Sequence, residues 1–341
     1  MASLALREIG KSGVRVTQLG MGTGTLGDLR EQISEAQADA TITAGWDGGI
    51  RFYDTAPFYG HGKSEHRVGH VLRNLPRDEF VLSTKIGRIY TRPSSPEAYE
   101  PYGWKAGLPF NFRVDYSRDG VLRSYEDSLQ RLGITRVDAL LVHDLDLLFH
   151  QTDERVEEHL DALDGGGGYA VLREMKDTGE IRAIGAGINE LGMIPRFLER
   201  FEMDYFLIAM PYTLLSQEAL DRELALCAER GAGVVIGAPF ASGILARGPE
   251  TGTYAYGAPP AEMVEKTRRI SAVCGRHGVP LGAAALQFPL AHPVIAAVIP
   301  GPNSPEQARC NVDWIRTPIP AELWAELKSE GLIFPHAPTP S

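Results

Sequence analysis

Short apolar runs alternate along the chain with longer stretches in which apolar residues recur three and four positions apart. Eight runs read as strands, at 18–22, 49–53, 80–84, 137–142, 181–186, 205–209, 233–237 and 295–299. Between most of them the spacing predicts helices, at 34–44, 65–72, 118–132, 169–178, 193–200, 218–230 and 261–276. Such alternation predicts a parallel sheet covered by helices. Right-handed crossovers then allow it to close into a (β/α)8 barrel. The alternative is an open doubly wound sheet with G-x-G-x-x-G after its first strand. Gly20-Met21-Gly22-Thr23-Gly24 has the wrong spacing for that loop. The expected plan is a single domain over 1–341: a β-hairpin at 1–17 turning at Lys11-Ser12-Gly13, a barrel at 18–316, and a C-terminal helix and tail at 317–341. Residues 86–117 and 238–260 read as long loops, and Gly165–Gly168 as a flexible connector.

Composition narrows the function classes. The 341 residues are 43% hydrophobic and 23% charged, as in a soluble globular protein. A net charge of −10 argues against nucleic acid or an anionic membrane as partner. Cys227, Cys274 and Cys310 show no metal-ligand spacing, so the expectation is reduced thiols in a cytoplasmic protein and no metal. No signal peptide is read at the start, and no run approaches the roughly 20 apolar residues of a membrane span.

The chemistry centres on Gly49-Ile50-Arg51-Phe52-Tyr53-Asp54-Thr55-Ala56-Pro57-Phe58-Tyr59-Gly60. An apolar run ending in Asp54 is how a barrel strand reaches the face where active sites form. Buried there, the carboxylate needs a partner. Lys85, ending the next strand, supplies one, and His143 ends the strand after that. Taken singly, each has a bland reading: a turn cap for Asp54, packing for Tyr59, a solvated Lys85, a satisfied core His143. Jointly they mark one strand-end cluster.

Asp54, Tyr59, Lys85 and His143 also fall in the order and places at which aldo-keto reductases carry their Asp, Tyr, Lys and His. The chain resembles that family from the glycines near residue 20 to Asn311. The resemblance implies hydride transfer between a substrate carbon and a nicotinamide cofactor, with Tyr59 exchanging the proton. A free phenol titrates near ~10, so Lys85 is expected to lower the Tyr59 pKa, with Asp54 keeping Lys85 charged. His143 would hydrogen-bond the reacting oxygen.

Val298-Ile299-Pro300-Gly301-Pro302-Asn303-Ser304-Pro305-Glu306-Gln307 resembles the loop and helix start that hold the cofactor's adenosine end, with Ser304 as N-cap and Pro305 at the first helical position. The resemblance assigns to the cofactor Gly22, Thr23, Asp54, Asn189, Tyr212, Phe240, Ser242, Gly243, Leu245, Gly301, Asn303, Gln307 and Asn311. Gly301 and Gln307 stand where NADP-preferring members place Lys and Arg. A 2′-phosphate needs such cations, and only Arg309 is near, so NAD is the expected cofactor and NADP the second choice. The usual Ser-Asn, Gln and ring-stacking Tyr of the nicotinamide site are absent; Asn189 and Phe240 are the candidates to replace them.

Residues 182–189, 212–215, 241–245 and 299–301 look like the aldose dehydrogenase branch, which oxidises cyclic hemiacetals to lactones. The implied substrate is an aldose such as L-fucose or a related D-threo-aldose, with pyridoxal oxidation to 4-pyridoxolactone as the alternative. NADPH-dependent aldehyde reduction and a non-catalytic nucleotide-sensing subunit are further alternatives. Phe58, Tyr59, Tyr90 and His143 are the substrate-side candidates.

Overall fold

The structure is a computed structural model that describes residues 3–255 and 257–340. Among these, strands β1 (Leu6–Glu8) and β2 (Arg15–Thr17) form an antiparallel hairpin. There follow β3 (Met21–Gly22), β4 (Phe52–Asp54), β5 (Val81–Ile86), an antiparallel pair β6 (Arg88–Thr91) and β7 (Asn111–Val114), then β8 (Ala139–His143), β9 (Ala183–Ile188), β10 (Tyr205–Ile208), β11 (Gly233–Ile236) and β12 (Ile295–Val298). The order β3-β4-β5-β8-β9-β10-β11-β12 makes one parallel sheet. Its ends meet where Leu19 bridges Val298; the Gly20 N–H donates to Val298 O at 2.9 Å and the Val298 N–H to Gln18 O at 2.9 Å. The expected (β/α)8 barrel is the observed fold.

All eight barrel strands lie within the expected runs or overlap them. Several begin two or three residues later, because Ile50, Val137 and Ile181 are buried just outside the paired region. Apolar side chains separate into two cores. The larger lies between sheet and helices. The smaller fills the lumen, where Phe52, Leu141, Tyr205, Val235 and Ala297 meet Ile9, Val14 and Val16 of the hairpin. The hairpin therefore stoppers the bottom of the cylinder. Its Gly10 has φ +54, and a Cβ there would stand 2.5 Å from the Gly233 nitrogen, so only glycine fits.

Other expectations need correction. The stretch 86–117 is not all loop, since it carries the β6–β7 pair. The glycine run is a close-packed bend rather than a flexible connector: a Cβ at Gly166 would meet Ala162 O at 2.2 Å, and one at Gly168 would meet Tyr116 O at 2.0 Å. The helices Asp153–Asp164 and Leu281–Leu290 were not anticipated. The second has Pro289 inside it and seven buried residues, so it shows no polar stripe to read. Segment 218–230 opens as a π turn at Leu220–Leu224 before becoming the helix Ala225–Arg230. Past the helix Ala321–Ser329 the tail packs down through Leu332, Ile333 and Ala337. Cys227 and Cys274 are buried free thiols, and Cys310 is partly buried. Among the described residues no helix is long and apolar enough to cross a membrane.

One buried carboxylate ties two helices to β5. Glu65, in the helix Lys63–Leu72, is fully buried. It accepts from Thr84 Oγ1 in β5 at 2.7 Å and from Arg131 Nε in the helix Arg118–Leu132 at 2.6 Å. Removing a partner from such a pair strands the remaining charge. Glu65→Ala is expected to lower unfolding stability by about 3 kcal/mol, read from urea denaturation; a change under about 1 kcal/mol, the range of exposed pairs, would contradict the coupling.

Candidate active site

The parallel register puts β4 beside β5 and β5 beside β8, with Asp54 opposite Ser83 and Lys85 opposite Leu141. Asp54, Lys85 and His143 therefore emerge on one rim. Asp54 and Lys85 are each 1% exposed, and Lys85 Nζ donates to Asp54 Oδ1 at 2.5 Å. The same ammonium donates to Thr55 O at 2.8 Å and to Tyr59 Oη at 3.2 Å. Its three hydrogens thus have three oxygens. Asp54 Oδ2 accepts from Ser83 Oγ at 2.6 Å. The His143 ring lies 5.7 Å from the Tyr59 ring, nearly perpendicular at 85°. Tyr116 supports it from behind, donating to His143 O at 2.7 Å. The four residues singled out in the sequence meet in one cluster.

The electrostatics correct one expectation. The Tyr59 phenol is pushed well above its ordinary value, not below it. Burial is the largest cause, followed by the carboxylates of Asp54 and Asp144; only Arg88 opposes them. The sequence reading weighs the Lys85 charge on Tyr59 but neither the burial of the phenol nor the repulsion of the nearby carboxylates. Burial likewise lifts the Asp54 carboxyl, with the Lys85 charge as the largest opposing influence. His143 is held neutral, its pKa driven far below the usual imidazole value by burial and then by Arg88 and Lys85.

A second charged group, absent from the sequence reading, stands beside the first. Arg88 in β6 is 2% exposed and donates from Nη2 to Asp144 Oδ2 at 2.8 Å. Asp144 follows β8 with φ +50, a left-handed conformation that brings its Oδ2 to 3.5 Å from His143 Nε2. Asn189 donates from Nδ2 to Asp144 Oδ1 at 3.1 Å and to Asp146 Oδ2 at 3.0 Å. Its amide hydrogens are thus engaged, and its carbonyl oxygen is what remains for a carboxamide. An Arg–Asp pair 56 residues apart leaves no local spacing to read.

The cofactor candidates divide. Gly22 donates to Pro300 O at 3.1 Å across the barrel seam, and Thr23 is fully buried, its hydroxyl donating to Asp54 O at 2.9 Å. Both shape the rim through the backbone. Gly301 follows β12, Asn303 pairs with Glu31 through side chains, and the Gln307 amide oxygen accepts from the Asn303 N–H at 3.0 Å. Asn311 lies one helical turn beyond Gln307 and is 5% exposed. Ser242 at φ +68 and Gly243 at φ +121 form a left-handed turn after β11. Arg30, which sequence reasoning missed, reaches that turn, donating to Ser242 O at 2.8 Å and bonding Thr253 Oγ1. The side chains of three candidates pack against the core, two of them fully buried. Tyr212 is fully buried and stacked on Phe288 at 5.5 Å; Leu245 is fully buried, and its N–H donates to Phe240 O at 3.2 Å; Phe240 packs edge-on against Trp314 at 5.6 Å.

On the substrate side, Phe58 is the hub of an aromatic cluster. Trp104 lies 5.4 Å away, Phe112 5.7 Å and Phe149 6.1 Å. Tyr90 touches this cluster, but its hydroxyl donates to Pro57 O at 2.5 Å and so fixes the loop that carries Tyr59.

Comparison with known proteins agrees with this geometry. The aldo/keto reductase family model matches residues 18–330. The chain is 44% identical to a pyridoxal 4-dehydrogenase from Microbacterium luteolum, over 96% of this chain and 97% of the relative. It is 37% identical to a D-threo-aldose 1-dehydrogenase from a Pseudomonas species, with the same coverage of both chains, 96% and 97%. Among solved structures, an aldo-keto reductase from Bacillus halodurans in its holo form superposes with a TM-score of 0.71 at 25% identity, over 96% of each chain. The chain belongs to the aldo/keto reductase family.

Proposed function

We propose that this oxidoreductase dehydrogenates a cyclic hemiacetal to its lactone, with NAD as hydride acceptor and Asp54, Tyr59, Lys85 and His143 as its catalytic residues. The contact of Lys85 Nζ with both Tyr59 Oη, at 3.2 Å, and Asp54, at 2.5 Å, carries the reading. The names of the two relatives support it, since pyridoxal and an aldose both form cyclic hemiacetals.

The donor chemistry of the chain fits a dinucleotide without a 2′-phosphate. Gly301, Asn303 and Gln307 are neutral, and Arg309 is exposed and paired with Glu306 at 2.8 Å. Gly243, Gly301, Asn303, Gln307 and Asn311 are the residues that would hold it, with the Asn189 carbonyl toward the carboxamide. When bound, the oxidised nicotinamide supplies the hydride acceptor and a local positive charge. The remaining work belongs to the chain. His143, kept neutral, donates a hydrogen bond to the ring or hemiacetal oxygen and orients the substrate. The Tyr59 oxygen takes the hydroxyl proton as the C–H bond is broken. The Lys85 ammonium stabilises charge on that oxygen, and Asp54 and Thr55 O hold the ammonium in place.

Three outcomes are expected. Tyr59→Phe should reduce kcat by at least about 100-fold while leaving NAD+ binding, followed by fluorescence titration, near the native value; retained turnover would remove Tyr59 from the chemistry. A phenol pKa raised above its ordinary value makes the proton acceptor scarce at neutral pH, so kcat/KM for oxidation should climb as pH rises into the alkaline range. A profile flat from neutral to alkaline pH, or one that falls, would contradict that direction. NAD+ should bind more tightly than NADP+ by about tenfold or more, the effect of one missing charge-assisted contact; tighter NADP+ binding in the same titration would overturn the cofactor preference.

A further inference from the structure

The Arg88 guanidinium is packed among aromatic rings. Its carbon lies 4.3 Å from the Phe58 ring centroid and 4.3 Å from that of Phe149, with Phe112 at 5.4 Å. The rings cover it, so hydrogen bonding is confined to its edges. One edge is taken by Asp144 at 2.8 Å. Nε and Nη1 are buried and have no partner. A buried donor left unmatched is destabilising and calls for an explanation. Three more unmatched buried atoms border the same Phe58 ring: Trp104 Nε1, His61 Nε2 and His143 Nδ1. Tyr59 is the next residue in the chain.

The balance of this inventory selects among hemiacetals. Arg88 and Trp104 can only donate there. The nearby carboxylate, Asp144, already accepts from Arg88 and Asn189. A hexose brings several hydroxyls, each of which needs an acceptor as well as a donor. A flat ring with one acidic oxygen needs donors and aromatic walls.

We propose that Arg88 is a specificity-determining residue whose free guanidinium edge receives an acidic ring oxygen of a heteroaromatic hemiacetal, the chemistry of the 3-oxygen of pyridoxal. This rests on the hemiacetal dehydrogenase reading and names the substrate class within it. Asp144 sets the angle of the guanidinium, and Phe58 and Phe149 hold its plane.

The test uses the full chain with NAD+ and three substrates: pyridoxal, pyridoxal 3-O-methyl ether and L-fucose, each followed by NADH absorbance. Native protein should favour pyridoxal over the ether and over L-fucose by about 10- to 100-fold in kcat/KM, the effect of one charge-assisted hydrogen bond. Arg88→Met should lose that preference, with kcat/KM for pyridoxal falling toward that for the ether and the difference carried by KM. Arg88→Lys, which keeps the charge without the fork, should fall between them. Unchanged NAD+ binding and thermal unfolding of the variants show that the barrel is intact; should Arg88→Met fail to fold, the native ratio of pyridoxal to ether still decides. Equal native use of pyridoxal and ether, or an equal loss on both in Arg88→Met, overturns the proposal. Oxidation of L-fucose without pyridoxal overturns it too, while leaving the hemiacetal reading standing. Failure to oxidise any of the three sinks both.

Discussion

A lysine and an aspartate, each 1% exposed, share a proton-bearing contact at the rim of the barrel, and the site is organised around them. Two charges removed from water are costly unless every lone pair and hydrogen is matched. Here they are matched by backbone and side chains of adjoining strands: Ser83 for the second carboxylate oxygen, Thr55 O for the second ammonium hydrogen. Those partners exist only if β4 and β5 hold their register. Tyr59 takes the remaining hydrogen, on a loop that the Tyr90 hydroxyl fixes through Pro57 O.

The pair gives Tyr59 a hydrogen-bond donor, while burial first and then the Asp54 carboxylate hold the phenol pKa up. The charge that distinguishes this site comes from the next layer, where Arg88 and Asp144 lie within reach of His143. His143 stays neutral because it is buried, and the flanking Arg88 and Lys85 cations add to that. The two charged pairs divide the labour: one fixes the proton-exchanging group, the other fixes the group that orients the substrate.

Much of this was legible beforehand for a physical reason. Barrel strands are buried on both faces, so runs such as Val137-Asp138-Ala139-Leu140-Leu141-Val142 stand out, and a polar residue ending such a run marks the rim. The Asp54, Tyr59, Lys85 and His143 cluster follows from three such endings and the tyrosine in the loop after the first. What escaped notice lacks a local signature. Arg88 is an ordinary charged residue until Asp144 is brought beside it. The helix Leu281–Leu290 is apolar on nearly every side, which erases the period that reveals a helix. The sign of the Tyr59 shift depends on how deeply the phenol is buried, which outweighs the Lys85 charge and which residue order does not carry. The Tyr212 and Leu245 side chains point into packing, a matter of rotation that sequence position does not carry.

The stoppered bottom of the cylinder has a bearing on how the chain is made. Ile9, Val14 and Val16 rest on Ala296, Ala297 and Ile299, and Arg7 grips Ile295 O at 2.6 Å. A ribosome makes the plug long before the seam it seals. Through almost all of translation the plug's greasy side lacks its final neighbours, and the cylinder lacks its closing stave. Sealing of the cylinder's base therefore waits on a partner that follows the plug by 288 residues.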